Sequence, residues 1–194
     1  RGFGDTAGFD ESKLGAIVEA TLDAGTWNCP TLIVMHRIST SGDEVEGLMA
    51  RPEMRYVNPI HIQGWQQRSG GNRHDRQEHA NAVYATIVRA LHDAGAPILL
   101  GTDTPNPWVI PGFAIHEELA FLVNAGLSPY DAIRAGTADA ARFLGEDDLG
   151  VVRAGARADL LLIEGNPLED VANIKRLRGV MTRGTWLEPV SYTH

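Results

Sequence analysis

The chain has 194 residues, a formal net charge of -8 and 43% hydrophobic residues, which is the composition of an ordinary globular protein. The acidic balance argues against a nucleic-acid-binding surface, because such a surface needs clustered Lys and Arg. No run approaches the roughly 20 apolar residues of a membrane span. A single cysteine, Cys29, excludes a disulfide framework and a cysteine-based zinc site. The first ten residues lack the apolar core of a signal peptide, and we expect a cytoplasmic protein.

The first part of the chain predicts a helix, a strand and a long excursion. Residues 10–25 place apolar side chains on one helical face, and Gly25 fits the position after the helix end. Thr31 to Met35 form a short, wholly apolar run, which is typical of a strand buried on both faces of a parallel sheet. Residues 37–75 show no clean period and are too long for a plain connection, so we expect an insertion with one or two short helices.

The middle of the chain predicts a second β/α unit. Apolar residues from Ala80 to Leu91 recur at helical spacing and give the clearest helix of the sequence. Residues 97–101 predict a second buried strand, which ends at Asp103 and enters a loop with two prolines. Further helices are expected at about 115–125 and from Pro129 to about Leu144, with a serine cap before the second.

The pattern changes after residue 146. The segments LGVVRAGARADLLLIEG and LRGVMTRGTWLEP indicate β-strands joined by glycine turns, without long helices between them. The β/α units that precede them indicate a right-handed parallel sheet. We therefore expect an α/β protein with two parts: residues 1–146, including the insertion 37–75, and a small β-rich part, residues 147–194.

Asp103 and His36 are the first candidate site residues, because each follows a predicted strand. In parallel α/β folds the active site lies at the carboxyl ends of the strands. An aspartate after a strand also commonly caps a helix or forms an Asx-turn. Pro105 and Pro107 do not favour an immediate helix start, which weakens the cap interpretation without removing it.

Four motifs resemble the C-terminal part of metal-dependent amidohydrolases. They are LLGTDT, HEELAFLVNAGLSPYDAIRAGTADAARFLG, LGVVRAGARADLLLIEGNPLED and GVMTRGTWL, in the family's order over residues 97–188. The sequence is most similar to imidazolonepropionase-like and dipeptidase-like members. The resemblance implies the last strands and helices of a (β/α)8 TIM barrel beside part of a small composite β-domain. DAGTWNCPTLIVM then resembles the seventh strand with its preceding helix, and ARPEMRYVNP the insertion that follows it.

The resemblance also implies a role for Asp103 as a catalytic residue and a metal ligand. It corresponds to the aspartate at the end of the eighth barrel strand, which binds a divalent metal and takes the proton of the attacking water. Zinc is the metal expected in the complete enzyme. The implied reaction is hydrolysis of an amide, peptide or cyclic amide C–N bond in a small molecule or dipeptide.

The other metal ligands of the family have no counterpart in this sequence. The family uses a His-x-His pair, a Lys or Glu and two further histidines from earlier strands, whereas His61 is followed by Gln63 at the matching spacing. His74 and His79 are five residues apart and do not share a helical face. Catalytic zinc typically has three protein ligands. We therefore expect a C-terminal portion that need not hold a metal by itself.

Four residues are candidates for substrate contact: His36, Tyr56, Trp108 and His116. Tyr56 lies in the expected insertion, Trp108 lies five residues after Asp103, and His116 opens the next helix. A packing role remains open for the two aromatic residues, and a surface position at a helix start remains open for His116. We expect Glu117 and Glu118 to complement the dipole of their own helix.

Two further interpretations remain open. A part of a barrel has open sheet edges, so the chain can be a non-catalytic, truncated or split protein that acts through association. Its partner is then a second copy of itself, in a homo-oligomer, or the missing N-terminal half. The third interpretation is an independent small α/β binding domain, which non-adjacent strands at 31–35 and 97–101 would favour.

Overall fold

The structure, a computed structural model, describes residues 6–37, 40, 42–69 and 74–188. Within these residues, eight α-helices precede a three-stranded antiparallel sheet, and none of the helices is long and apolar enough to cross a membrane. The helices are α1 (Leu14–Asp23), α2 (Leu32–Arg37), α3 (Gly42–Met49), α4 (Pro59–Arg68), α5 (His74–Asp93), α6 (Ala114–Asn124), α7 (Pro129–Ala135) and α8 (Ala138–Leu144). The strands are β1 (Leu160–Ile163), β2 (Leu177–Thr182) and β3 (Thr185–Leu187), and 3-10 turns occupy Glu11–Lys13, Pro52–Tyr56 and Val171–Lys175.

The first predicted helix is confirmed. The Asp10 side chain accepts a hydrogen bond from the Ser12 backbone N–H at 3.1 Å and starts the 3-10 turn before α1. Leu14 and Val18 are buried and pack with residues of α5. Gly25 has φ +60, a conformation that glycine adopts without the steric cost that a side chain imposes, and it follows the helix end.

The predicted strand Thr31–Met35 is wrong, because this run forms helix α2. Thr31 has φ +46 and turns the chain away from the extended direction. The parallel pairing occurs three residues earlier, where Asn28 N–H donates to the Pro97 carbonyl at 3.0 Å and Leu99 N–H donates to the Asn28 carbonyl at 2.8 Å. A short apolar run is buried equally well as a strand or as a helix, so its composition did not distinguish the two.

The predicted insertion does contain short helices. Its helices α3 and α4 flank the 3-10 turn Pro52–Tyr56. The buried side chains of the insertion pack with two residues of the loop after Asp103; this cluster consists of Leu48, Met54, Trp65, Trp108 and Ile110. The insertion therefore lies against the loop of residues 104–113.

The two predicted helices around residues 80–91 and 115–125 are confirmed as α5 and α6, and both contribute to one buried core cluster. Val88 of α5 and Leu119 and Leu122 of α6 are buried together with Ile98 of the strand-like segment. The stop predicted for α6 is confirmed at Gly126, which has φ +117. The apolar face of α5 therefore covers the paired segments around residues 28 and 98.

The predicted helix from Pro129 to Leu144 is two helices, α7 and α8, and the single-helix prediction is wrong. The chain breaks at Gly136, where an added Cβ would lie 2.6 Å from the Leu100 side chain. The Ala135 carbonyl accepts a hydrogen bond from Leu100 N–H at 3.2 Å. The break therefore lets the segment 97–100 pack against the end of α7.

The C-terminal strands are confirmed as an antiparallel sheet in the order β1-β2-β3. Leu161 pairs with Val180, which pairs with Leu187, so these three side chains share one face. Leu161 and Leu187 on this face are exposed. Val171, in the 3-10 turn between β1 and β2, is buried in the helical core and anchors this region to it. The boundary at residue 146 stays a prediction.

Candidate functional site

The strand predicted at residues 97–101 is wrong, because this segment forms only an isolated parallel bridge between Ile98 and Asn28. Asp103 follows this paired segment directly. Its backbone has φ +48, a left-handed conformation that aspartate tolerates better than most residues. Its carboxylate Oδ2 accepts a hydrogen bond from Asn106 Nδ2 at 3.0 Å, and its carbonyl accepts one from the same amide at 2.7 Å. Asn106 thus orients a carboxylate that is otherwise exposed.

Cys29 lies beside this strand end. A Cβ added to Gly101 would lie 2.4 Å from Cys29 Sγ, so the thiol packs directly over the glycine. Burial raises the pKa of the Cys29 thiol, and the negative charges of Glu118 and Asp103 raise that pKa further. The raised pKa keeps the thiol protonated, although the residue is exposed.

Glu118 is fully buried behind the strand ends, with 0% of its surface exposed. Its Oε1 accepts a hydrogen bond from Leu32 N–H at 2.9 Å, and its Oε2 accepts one from Ile33 N–H at 2.7 Å. Burial raises the pKa of Glu118 to about 7, while the two backbone donors act in the opposite direction. The carboxylate thus holds the start of α2.

The role expected for Glu118 from the sequence, complementing its own helix, is therefore wrong. A usable signal was present in the sequence. Ala114, Glu118 and Leu122 are spaced by four residues, and residues at this spacing share one face of a helix. All three are buried in the structure. A carboxylate on an apolar helical face predicts a buried partner, and that partner is the backbone of α2.

The neighbouring Glu117 makes contacts of a different kind. Its Oε2 accepts a hydrogen bond from Arg37 Nη2, and its Oε1 accepts one from Arg51 Nη2 at 2.7 Å. Arg51 also pairs with Glu53 at 2.7 Å. This ion-pair group ties α6 to the end of α2 and to the insertion, through side chains alone.

His36 lies in the last turn of α2, so its expected place directly after a strand is wrong. Its ring stacks on Phe121 with a centroid separation of 3.9 Å, and its Nδ1 lies 3.1 Å from Asn81 Nδ2. Burial, followed by the charge of Arg37, lowers the pKa of His36 and favours the neutral ring. Substrate contact by His36 stays a prediction.

His116 lies in the first turn of α6 and is half-buried. Its buried Nδ1 has no hydrogen-bond partner in the described part of the chain. Burial lowers the pKa of His116, and the charge of Lys175 lowers it further. The prediction of substrate contact by this neutral imidazole remains untested.

The structure places Tyr56 and Trp108 very differently. Tyr56 is exposed, stacks on Phe113 at 5.5 Å and accepts a hydrogen bond from Arg55 Nη2 at 2.7 Å. Trp108 is only 2% exposed and donates from Nε1 to Ser69 Oγ at 2.9 Å. Trp108 therefore packs the insertion onto the loop of residues 104–113, which is the packing role that the sequence left open for it. Substrate contact by Trp108 stays a prediction. Substrate contact by Tyr56 stays a prediction.

The described residues do not fit the metal that the resemblance implies. No group of three or more His, Cys, Asp or Glu side chains comes together among them in a way that could hold a metal ion. His79 is exposed on α5, and the side chain of His74 lies outside the described part. Asp103 alone offers one ligand where a catalytic zinc site typically takes three from the protein.

An apolar groove of about 330 Å³ runs between the segment 27–30 and helix α5. Its lining is mainly apolar and consists of Trp27, Asn28, Cys29, Pro30, Leu32, Tyr84, Ile87, Val88 and Leu91. The groove is therefore formed by the Asn28 segment together with α5, and Ile98 is not among the residues that line it.

Comparison with known proteins identifies the family. Residues 22–187 match the Amidohydrolase family. The chain belongs to this family. Family members similar in sequence include imidazolonepropionase from Deinococcus deserti, 41% identical over 85 residues, which are 43% of this chain and 21% of that protein. Ochratoxinase from Aspergillus niger is 42% identical over 81 residues, covering 40% of this chain and 16% of that protein.

Solved amidohydrolase structures are similar to nearly the whole chain. Bottromycin amidohydrolase matches with a TM-score of 0.66 and 26% identity, over 95% of this chain and 43% of that chain. A Xaa-Pro dipeptidase with bound methionine in its active site matches with a TM-score of 0.60 and 21% identity. The match covers 93% of this chain and 38% of that chain, which shows a common fold. The resemblance seen in the motifs is thus confirmed, and the matched part of the chain covers about a fifth of the length of these curated relatives.

Proposed function

We propose that this chain takes part in the hydrolysis of an amide, peptide or cyclic amide C–N bond of a small molecule or dipeptide. The observation that carries the proposal is Asp103, an exposed carboxylate at the end of a paired segment, inside the match to the Amidohydrolase family. The names of its relatives, an imidazolonepropionase and an ochratoxinase, agree with a hydrolase of this type.

Asp103 is suited to proton transfer by its position and its support. It is fixed by Asn106 on one oxygen, and its negative charge is among the causes that raise the pKa of the Cys29 thiol and keep that thiol protonated. A carboxylate held in this way can accept a proton from an attacking water and return it to the leaving amine. We assign this role to Asp103 within the proposed reaction.

The ligands of the expected divalent metal, for which zinc is our proposal, must then come largely from outside the described residues. We propose that the chain forms the last strands and helices of a TIM barrel and part of a composite β-domain. The parallel contact between Asn28 and Ile98 and the similarity to amidohydrolase structures support this arrangement. The remaining ligands would be supplied by an N-terminal part of the same fold.

Association with a further polypeptide follows from this proposal. The open groove beside residues 27–30 and the exposed leucines of the C-terminal sheet are surfaces that a complete barrel and β-domain would cover. The partner is a second copy of the chain or the N-terminal part, in the cytoplasm. The alternative, a non-catalytic protein that acts only through oligomerisation, rests on the same surfaces and on the incomplete ligand set.

The test compares hydrolysis by the chain alone with hydrolysis by the assembly recovered from its own cells through a C-terminal tag. The substrates are a cyclic imidazolone, an X-Pro dipeptide and an N-acyl amino acid, with zinc or with chelator. We expect activity in the assembly, and a loss of roughly 10²–10⁴-fold in Asp103→Asn, the size of a general-base contribution. Asp93→Asn, at an exposed carboxylate at the end of α5, is the matched control.

Two outcomes would change this conclusion. If the chain alone binds one equivalent of zinc and loses amidase activity with chelator, the hydrolase assignment stands. The statement that its set of metal ligands is incomplete would then be wrong. If neither preparation hydrolyses any substrate and Asp103→Asn has no effect on zinc content, the non-catalytic alternative is favoured.

A further inference from the structure

We propose that Glu118 is a positioning residue for Asp103, because its carboxylate fixes the turn at Thr31 and this turn packs against the chain on both sides of Asp103. The inference rests on the proposed function only for the role of Asp103. The turn is defined as residues 29–33, which follow the paired residue Asn28 and include the first two residues of helix α2.

The first step is the contact between Glu118 and the backbone of α2. Both carboxylate oxygens are used, one for Leu32 N–H at 2.9 Å and one for Ile33 N–H at 2.7 Å. Because Glu118 has no exposed surface, water does not compete for these two donors.

The second step is the strained backbone that this contact holds. Thr31 has φ +46, and a β-branched residue in the left-handed region is a genuine outlier. Such a conformation persists only where the surroundings determine it. The two N–H groups directly after Thr31 are the ones that Glu118 binds, so the carboxylate is the contact best placed to fix this turn.

The third step links the turn to Asp103. On one side, Cys29 Sγ and Thr31 Cγ2 would lie 2.4 Å and 4.0 Å from a Cβ at Gly101, two residues before Asp103. On the other side, Ile33 is fully buried and packs with Val109, in the loop that follows Asp103. Fixing the turn therefore fixes the chain before and after the carboxylate.

The adjacent residue Glu117 provides an internal contrast. It also lies on α6 and also binds groups of α2, but it does so through the Arg37 side chain and not through the backbone at Thr31. Its side chain is 19% exposed. Removing the Glu117 carboxylate should therefore leave the turn and Asp103 unchanged.

The experiment uses Cys29, the only cysteine of the chain, as a reporter of the turn. The rate of alkylation by iodoacetamide is measured against pH in the wild type, Glu118→Gln and Glu117→Gln. The charged groups that act on this thiol are Glu118 on α6 and Asp103. A glutamine at 118 presents an NH₂ group to one of the two backbone donors, so the turn opens more often.

We expect Glu118→Gln to speed alkylation about tenfold at neutral pH and to lower the pH of half-maximal reactivity. Movement of the turn frees Sγ of the exposed Cys29 from its packing over Gly101, and the lost charge favours the thiolate. Glu117→Gln should keep the wild-type profile. Hydrogen exchange along α5 should be unchanged in both variants, which separates a local effect from general loosening. A wild-type alkylation profile in Glu118→Gln would overturn the proposal.

Thr31→Gly supplies the second arm, because glycine adopts positive φ without strain. In this background Glu118→Gln should speed alkylation much less than in the wild type, since the turn no longer needs the carboxylate. If Glu118→Gln alone fails to fold but the double variant folds, the proposal is supported. An equal effect in both backgrounds, or failure of the double variant to fold, would contradict it.

These measurements do not depend on hydrolysis. A changed thiol profile together with an assembly that hydrolyses nothing would keep the positioning role and reject the proposed function. The opposite result is also possible. If the kcat of the assembly falls in Asp103→Asn but not in Glu118→Gln, and Glu118→Gln keeps the wild-type thiol profile, the proposed function stands and the positioning role is rejected.

Discussion

The helical region, residues 14–144, and the C-terminal sheet, residues 160–187, differ in where their apolar side chains lie. Helices α2, α5 and α6 bury theirs against one another, and Ile33 and Leu122 have no exposed surface. The sheet exposes leucines on both faces and is anchored to the helices through Val171. The helical region thus contains its own hydrophobic core, whereas the sheet region has a buried contact with that core through Val171.

The largest effect is expected from a cavity in the helical core. Leu122→Ala should lower the free energy of unfolding by about 2–5 kcal/mol, because a fully buried leucine is lost and its neighbours close the space only in part. Leu161→Ala, at a side chain that is 58% exposed in the sheet, should change it by less than about 1 kcal/mol. Urea unfolding of both variants measures the contrast, and equal losses would break the comparison.

The junction between the two regions gives the next effect. Gly150 has φ +67, and a Cβ there would lie 2.4 Å from the Thr137 backbone. Gly150→Ala should therefore cost about 2–4 kcal/mol, from backbone strain together with overpacking. Gly145→Ala has a similar φ of +75 but open space, and should cost only about 1–2 kcal/mol. Thermal unfolding distinguishes the two variants. If Gly150→Ala lowers the free energy of unfolding no more than the control Gly145→Ala, the backbone around Gly150 adjusts to the added Cβ without cost.

The buried carboxylate makes the helical region sensitive to pH. Burial raises the folded-state pKa of Glu118 from 4.5 to about 7, so its contribution to stability is fully present below pH 4.5 and is lost as the pH rises through about 7. Glu118→Gln should cost about 1–3 kcal/mol near pH 5, where one backbone donor loses its acceptor, and less as the pH rises past 7. Urea unfolding at several pH values measures this, with Glu117→Gln as the control for removing a carboxylate from α6. A difference that grows with pH would contradict the assignment.

The smallest effect on stability, but a clear one on association, is expected at the sheet. Replacing Leu161 and Leu187 with serine should change the free energy of unfolding by about 0.5 kcal/mol or less, because both side chains are exposed. The same change should lower the mass measured by light scattering toward that of a monomer. Val152→Ser, at an equally apolar and more exposed position outside the sheet, is the control. A wild-type chain that is monomeric across micromolar concentrations would remove the basis for this prediction.

The sequence predicted most helices because their apolar spacing and end signals agree. Gly25, Gly95 and Gly126 follow helices, and all three have positive φ. The run from Thr31 to Met35 was mistaken for a strand because its burial comes from contacts far along the chain. Glu118, 86 residues after Leu32, supplies the acceptor that lets a helix begin there. No local pattern contains that information.

The site was predictable to the same extent. Asp103 could be found from the end of an apolar run and from its motif, because both are local. For Trp108 the sequence could not decide between packing and substrate contact, because its environment, Ser69 and Trp65, belongs to the insertion and comes near only in the folded chain. Glu118 was underrated because helix-end charges are usually exposed, whereas the side chains four residues before and after it are buried.

The hydrogen bonds on both flanks of residues 97–100 have a consequence for how the chain tolerates changes in length. On one side, the Asn28 backbone forms hydrogen bonds with Pro97 and Leu99. On the other side, the Ala135 carbonyl accepts a hydrogen bond from Leu100 N–H. An added or deleted residue in the link after α5 would be absorbed before Pro97, because sliding the segment would break bonds on both sides at once. The distance along the chain from Leu100 to Asp103 would stay the same, so a change in the length of that link would leave the carboxylate in place.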